Sequence, residues 1–538
     1  MNKFMKRLTI SSVLQSMCYG FAALLLTASC TNDDTLQEGK QKKTDIPTGS
    51  TVFTGTSQPD VTTRTAILNH TKGAGASVNW SSSDRIWVKD DAGTWQQSAT
   101  ATIPSAANQS FAKFSLSGTY TGASHDIIYT NKAVTGSQPQ VEIKATQTQS
   151  APNNFNHAGE SGDCGIAIGN KAGNDYGFTL NHKAAYLCFI PRSSNEYVKR
   201  SKLIKVDIMS DDDIAGTYNI AANGTLTLAS GGSKTITVKT GSGFAIDNAT
   251  EDMSKNATYA VVAPGTHTFR IRYWLRNTTD NPQGAIEGTV SKIVTLNCTV
   301  GSIHDITANL NPHDYDGDHY YMWDAQQQYW YGYEWTRHLS GNKGQPTLNG
   351  NSSSNYAQSN SDVSRWYNDS YAGYGVSNPA TRPSCKDLPN ANEMSWYCKY
   401  GDPRWDGNEL WTTMGHLYKG GMWFKKKSVL QAEKHYNTEK SADNTTDLRR
   451  TDKVYSNRNS SIKSGVPSAA AAGNYFYLPA LGLYEDGQLI GFASIGNYWS
   501  SSAYPWDRGN AYLLSLGGYA VYVHYASRDY GFSVDGFE

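Results

Sequence analysis

Ser77-Val78-Asn79-Trp80-Ser81-Ser82-Ser83-Asp84-Arg85-Ile86-Trp87-Val88 decides the fold class. Two short runs rich in β-branched and aromatic residues flank a Ser-Ser-Ser-Asp cluster, whose side chains favour a turn. The same pattern recurs on both sides. Thr51-Val52-Phe53-Thr54 precedes it, and Phe111 to Leu116, Asp126 to Tyr129 and Gln140 to Lys144 follow. Ala184 to Ile190, Lys202 to Ile208, Thr225 to Leu228 and Ser233 to Val238 continue the series. Thr258 to Val262, Thr268 to Trp274 and Lys292 to Cys298 close it. Short strands separated by turn signals over residues 51–312 predict two packed β-sandwiches, with no helix of convincing length.

The 538 residues carry 47 basic and 47 acidic side chains, so the net charge is zero and there is no electrostatic footprint for nucleic acid. Cysteines stand at 18, 30, 164, 188, 298, 385 and 398, with no CxxC or Cys/His spacing of a metal site. No cofactor and no metal is expected. Excluding Cys18 and Cys30, an odd set remains, so at least one thiol is unpaired or bridges chains.

The start reads as a leader. Lys3, Lys6 and Arg7 precede an apolar stretch, densest at Phe21-Ala22-Ala23-Leu24-Leu25-Leu26, and then Thr27-Ala28-Ser29-Cys30. The apolar core is too short to span a bilayer, so a secretory signal over 1–29 is expected. The small residues before Cys30 resemble the lipobox of bacterial lipoproteins, which implies lipid attachment at Cys30. Thr31-Asn32-Asp33-Asp34 resembles the surface-export signal of Bacteroides-type lipoproteins. Polar residues over 30–50 read as a flexible tether.

A series of short motifs resembles the fimbrillin family, the pilins of Bacteroides-type (type V) pili. They are Thr63-Arg64-Thr65, Val78-Asn79-Trp80, Asp84 to Val88, Phe178 to Ala185, Ile214 to Ile220 with Gly224, Val262-Ala263-Pro264 and Ile303 to Leu310. The resemblance implies β-sandwiches over 51–177 and 178–312. It also implies cleavage at Arg64 by an Arg-specific protease, leaving Thr65 as the new N-terminus. The cut frees a groove that accepts a strand from another subunit, a mode in which main-chain hydrogen bonds supply the affinity. The plainer reading of Arg64 is a surface arginine in a loop. His182 reads as a structural histidine, and Cys188, alternating with Tyr186 and Ile190, as a buried one.

From Tyr315 onward aromatics crowd the chain. Asp314-Tyr315-Asp316-Gly317-Asp318-His319 lacks the glycine and distal glutamate of an EF-hand, and reads as a polar joint. Tyr320 to Trp335 reads as core. Asn390 with Glu393 marks a helix start. Met394, Tyr397 and Cys398 share its buried face, and a Cys385–Cys398 disulfide is expected to pin it. Residues 431–472 read as a long insertion or mobile loop. Cys385, Leu388-Pro389, Glu393, Tyr498-Trp499-Ser500-Ser501-Ser502 and Tyr530 to Val534 resemble a C-type-lectin-like module related in fold to the formylglycine-generating enzyme. The resemblance implies an α+β domain over 313–538, with Asp535 where that module usually has arginine. The expected glycan-binding loop runs from Asp402 to Trp411, with Trp405, Asp406, Asn408, Glu409 and Trp411 interleaving rings with polar groups.

These readings converge on a pilus (fimbrial) subunit, a tip adhesin exported as a surface lipoprotein. Its location is the cell outer membrane and the fimbrium. Its partners are other pilus subunits by strand exchange, a surface glycan or protein, and the outer membrane through lipid before processing. The tip position is expected because only Asp535 to Glu538 follow the last strand. The alternative is a lipid-anchored surface glycan-binding protein that never polymerises. An enzyme is the third reading, and no catalytic constellation supports it.

Overall fold

The computed structural model describes residues 50–538 apart from 57–65, 69, 75, 106–107, 280–284, 316, 335–354, 370–378, 415, 536 and 538. Strand accounts for 46% and helix for 8%, so sheets carry the core, as the alternating runs predict. The helix expected to start at Asn390 is present as Ala391–Tyr400, and before residue 312 the described α-helices have four residues each.

An eight-stranded sheet holds the first core. Its main path runs Trp95–Gln97, Trp87–Lys89, Ser124–Tyr129, Gly165–Ala172, Asp175–Thr179, Thr51–Thr56, Ala112–Leu116. Phe53, Trp80, Ile86, Phe114, Tyr176 and Phe178 fill it. The Ser81–Asp84 turn forms as expected. The Asp84 N–H donates to the Ser81 carbonyl, and the Ser81 N–H donates to the Asp84 carboxylate at 2.7 Å. Its flanking strands then go to different partners: Ser77–Asn79 pairs Ala66–Leu68, while Trp87–Lys89 joins the large sheet.

The second core lies among a three-stranded sheet (Thr258–Val262, Ala185–Arg192, Ile303–Asn309) and strands of a ten-stranded one. Ala185–Arg192 is buried on both faces, with Leu187 and Phe189 as inaccessible as Tyr186 and Cys188. His182 pairs with Asp163 at 2.9 Å inside the fold, which agrees with its structural reading. The ten-stranded sheet continues past residue 312. Ile286–Cys298 pairs in parallel with Arg404–Thr413 at Thr289 and Glu409, and His416–Lys425 and Tyr475–Pro479 extend it.

The helix Ala391–Tyr400 begins with the expected capping box. The Asn390 side chain accepts from the Glu393 N–H, and the Glu393 carboxylate accepts from the Asn390 N–H. Such a cap contributes about 1 kcal/mol. Met394, Tyr397 and Cys398 are buried as predicted. Tyr320, Trp323, Tyr329 and Trp330 are core residues, and Trp499 packs on Phe532 with ring centroids 4.2 Å apart. A six-stranded sheet runs Tyr320–Tyr321, Phe532–Ser533, Ile495–Ala503, Asn510–Gly517, Ala520–Ser527, Tyr455–Arg458.

Two expectations are corrected here. Residues 431–472 are a packed cover rather than a mobile loop. Leu448 is fully buried, Trp396 Nε1 donates to the Lys440 carbonyl, and Tyr455–Arg458 joins the six-stranded sheet. Cys385 and Cys398 are free thiols, not a disulfide. Cys385 faces the Asp324 N–H at 3.3 Å, whereas Cys398 faces the Val521 carbonyl at 3.5 Å. Cys398 sits in the third turn of the helix, and at about 1.5 Å of rise per residue it is carried away from the segment that precedes the cap. Burial pushes both thiols up to about 12, so neither is a thiolate at neutral pH. Thiol titration in denaturant is expected to find Cys164, Cys188, Cys298, Cys385 and Cys398 all reactive, with a melting temperature unmoved by reductant.

Candidate functional site: the first strand and the seam under the C-terminal module

The first strand, Thr51–Thr56, lies between two neighbours. It runs parallel to Asp175–Thr179, with Phe53 opposite Tyr176, and antiparallel to Ala112–Leu116, with Phe53 opposite Phe114. Phe53 is fully buried. It stacks on Tyr176 at 4.7 Å and 9° and meets Tyr120 edge-on at 5.2 Å. Gly55 is needed for close approach, since a Cβ there would sit 2.8 Å from the Phe178 ring and 3.0 Å from Trp80. Without this strand, Ala112–Leu116 keeps the Thr102–Lys113 bridge and the Ala99 N–H to Ser115 carbonyl bond. A slot one strand wide would then separate it from Asp175–Thr179.

Arg64 and Thr65 lie outside the described residues, as does Cys30. The chain immediately beyond them is clamped to the second core. His70 Nδ1 bonds the Tyr259 hydroxyl at 3.1 Å, Lys72 Nζ pairs with Glu251, and the Gly73 N–H donates to Asp305 at 2.7 Å. A break between Thr56 and Ala66 therefore leaves the downstream side anchored. Among the described residues, the upstream strand is then held chiefly by main-chain bonds and the buried Phe53 and Val52 side chains.

The expected glycan-binding residues stand elsewhere. Asp402 to Trp411 is not an exposed loop, because Arg404–Thr413 is a strand of the ten-stranded sheet. Trp411 is fully buried and donates its Nε1–H to the Gly420 carbonyl. Asp406 is 1% exposed and accepts from Arg272 Nη2 at 2.9 and 3.0 Å. Glu409 accepts from the Ser291 N–H, the Ser291 hydroxyl and the Thr289 hydroxyl. Trp405 and Asn408 are half-buried beside them. The Asp406 and Glu409 carboxylates accept from Arg272, Thr289 and Ser291 of the second core, so these residues form a buried seam rather than the exposed binding loop expected. Sequence reading missed Arg272, Thr289 and Ser291. The signal was the alternation of Arg270 and Arg272 with Phe269, Ile271 and Tyr273, which puts two guanidiniums mid-sheet.

Burial, with Asp406 adding to it, raises the Glu409 pKa above the ordinary value, against the pull of Arg272. A carboxyl raised in the folded state contributes stability below its unfolded pKa and loses that contribution as pH rises through the folded one. Glu409→Gln is therefore expected to gain stability relative to wild type as pH rises above about 4, read from melting temperatures along a pH series. A difference that stays flat, or runs the other way, contradicts the assignment.

Among solved structures the chain is similar to a candidate cell adhesion protein from Bacteroides ovatus, at 13% identity and a TM-score of 0.29, over 48% of this chain and 91% of that one. It is similar to the fimbrial anchor protein Mfa2 from Porphyromonas gingivalis, at 9% identity and a TM-score of 0.22, over 48% of this chain and 90% of that one. It is also similar to a fimbrial protein from Bacteroides ovatus, at 10% identity and a TM-score of 0.24, over 88% of this chain and 99% of that one. No family model and no curated protein matches the sequence.

Proposed function

We propose that the chain is a fimbrial subunit whose first strand plugs its own acceptor groove until the chain is cut at Arg64. The observation that carries this reading is the pairing of Thr51–Thr56 on both edges, upstream of Arg64, with the downstream segment clamped separately. Cutting breaks the covalent tie but not the hydrogen bonds, so an incoming strand from another subunit must displace the plug. Export as a lipoprotein through Cys30 and display at the cell surface belong to the same reading.

The C-terminal module serves as the adhesive head. The seam of Arg272 with Asp406 and Glu409 mounts it on the second core. Its described last strand, Phe532–Ser533, is already paired with Tyr320–Tyr321 and with Tyr498, so that segment is not available as a donor. Contact with a surface glycan or protein falls on exposed turns, where Trp506 is 64% and Tyr519 83% exposed.

The test uses the purified full chain and an Arg-specific protease. The expected product is cut after Arg64, stays folded, and releases its upstream fragment to an excess of a peptide copying residues 50–57. A native chain that resists at Arg64 while the denatured chain is cut there, or a cut chain that never exchanges, contradicts the proposal and favours a tethered surface binder.

A further inference from the structure

Behind the clamped segment, three side chains from distant parts of the sequence converge. A ring nitrogen of His70, the sulfur of Cys188 and a carboxylate oxygen of Asp305 all lie within 4.8 Å of one another. Cys188 and Asp305 are register partners on adjacent parallel strands, Ala185–Arg192 and Ile303–Asn309. Tyr259 is the partner of Cys188 on the other side. His70 is 3% exposed and Cys188 is fully buried. The Asp305 side chain, 14% exposed, marks the way in.

The hydrogen bonds decide which atoms are free. The Tyr259 hydroxyl donates to Asn153 Oδ1 at 2.5 Å. Its proton is therefore spent, and the 3.1 Å contact with His70 Nδ1 must be a donation from the imidazole. That tautomer leaves Nε2 as a bare lone pair. Nε2 faces Asp305 Oδ1 at 3.5 Å, and among the described residues neither atom makes a hydrogen bond of ordinary geometry, with the Cys188 thiol interacting with Asp305 and Tyr259 beside them. Asp305 Oδ2 is separately held by the Gly73 N–H. Two buried acceptors thus face each other beside a thiol, an arrangement that calls for a cation between them.

We propose that His70, Cys188 and Asp305 form a binding site for one divalent transition-metal ion of the zinc class. Sulfur, imidazole nitrogen and carboxylate oxygen together suit Zn2+ or Co2+ and disfavour Mg2+ and Ca2+. Ligands about 2.0–2.1 Å from a tetrahedral ion stand about 3.3 Å apart, close to the His70–Asp305 spacing of 3.5 Å, and the sulfur already lies within 4.8 Å of both. Water fills the fourth corner. Binding displaces the thiol proton to solvent and leaves a thiolate on the ion. The Tyr259–His70 bond fixes the ring, as outer partners of metal-bound histidines do. The ion would fasten residues 70–73 to the second core, next to the segment that carries Arg64.

The test is a Co2+ titration of the full-length protein under reducing conditions, followed by optical absorption, with Zn2+ competition. The expected result is one equivalent bound, with a sulfur-to-cobalt charge-transfer band that Zn2+ removes. Cys188→Ser is expected to lose the band, and Cys385→Ala to keep it. His70→Gln, in an irregular segment outside the sheets, is expected to fold and to weaken binding at least about tenfold, the loss that even an outer partner causes. Absence of the band in wild type, or its survival in Cys188→Ser, overturns the proposal. So does an unchanged affinity in His70→Gln, which decides alone if Cys188→Ser does not fold.

Discussion

Phe53→Ala is expected to lower the stability of the uncut chain by about 3–5 kcal/mol, measured as a shift in denaturant midpoint. The ring is fully buried, stacked on Tyr176 and edge-on to Tyr120, and nothing nearby can collapse into its place without dismantling those pairs. The same substitution is expected to speed release of the upstream fragment after cleavage, because the ring is the strand's largest apolar anchor. Gly55→Val acts on the same strand with opposite geometry. It forces a side chain against Phe178 and Trp80 and is expected to cost about 1–3 kcal/mol through overpacking. Thr56→Ala is the control. Thr56 is exposed, and its hydroxyl makes only long contacts with the Phe178 carbonyl and Thr179 at 3.4 and 3.3 Å, so little change is expected. If Phe53→Ala left both stability and release unchanged, the strand would not be the plug.

Arg272→Ala carries the second large effect. Arg272 is buried and gives Nη2 to both oxygens of Asp406 and to the Thr289 hydroxyl, with Glu409 at 3.7 Å. Removing it strands two carboxylates in the seam. Breaking a buried pair from one side costs about 3–5 kcal/mol, because the remaining carboxylates lose the guanidinium that balances their charge. Circular dichroism melts of Arg272→Ala should show that loss near neutral pH, with part recovered in acid as Glu409, whose pKa burial already raises, takes up a proton. Replacing Arg272, Asp406 and Glu409 together by apolar residues should restore more stability than the single change leaves. Equal stability of Arg272→Ala and wild type would mean the seam does not hold the module.

How much of this was legible in the sequence follows from where the information lay. The Ser81–Asp84 turn and the Asn390–Glu393 capping box were readable because each is local, with its partners three residues apart. Strand existence was readable from alternation. Partner choice was not, because Thr51–Thr56 binds residues more than 50 positions away on one edge and more than 120 on the other. The glycan reading of Trp405 to Trp411 failed for the same reason. Rings interleaved with acids look alike whether they face a sugar or the interior of a neighbouring sheet, and only Arg272, over 130 positions away, tells them apart. The disulfide reading failed because two cysteines near one helix say nothing of direction, and the helix turns Cys398 toward Val521. His70, Cys188 and Asp305 carry no spacing signal at all, since three separate strands and loops bring them together.

The measurement that bears most directly on the strand-plug account is the N-terminal sequence and intact mass of the protein recovered from native cells, with the size of its assemblies. The account predicts an N-terminus at Thr65, loss of the Thr51–Thr56 strand, and subunits joined into larger species. Recovery of a monomer that still begins at lipidated Cys30 would contradict it.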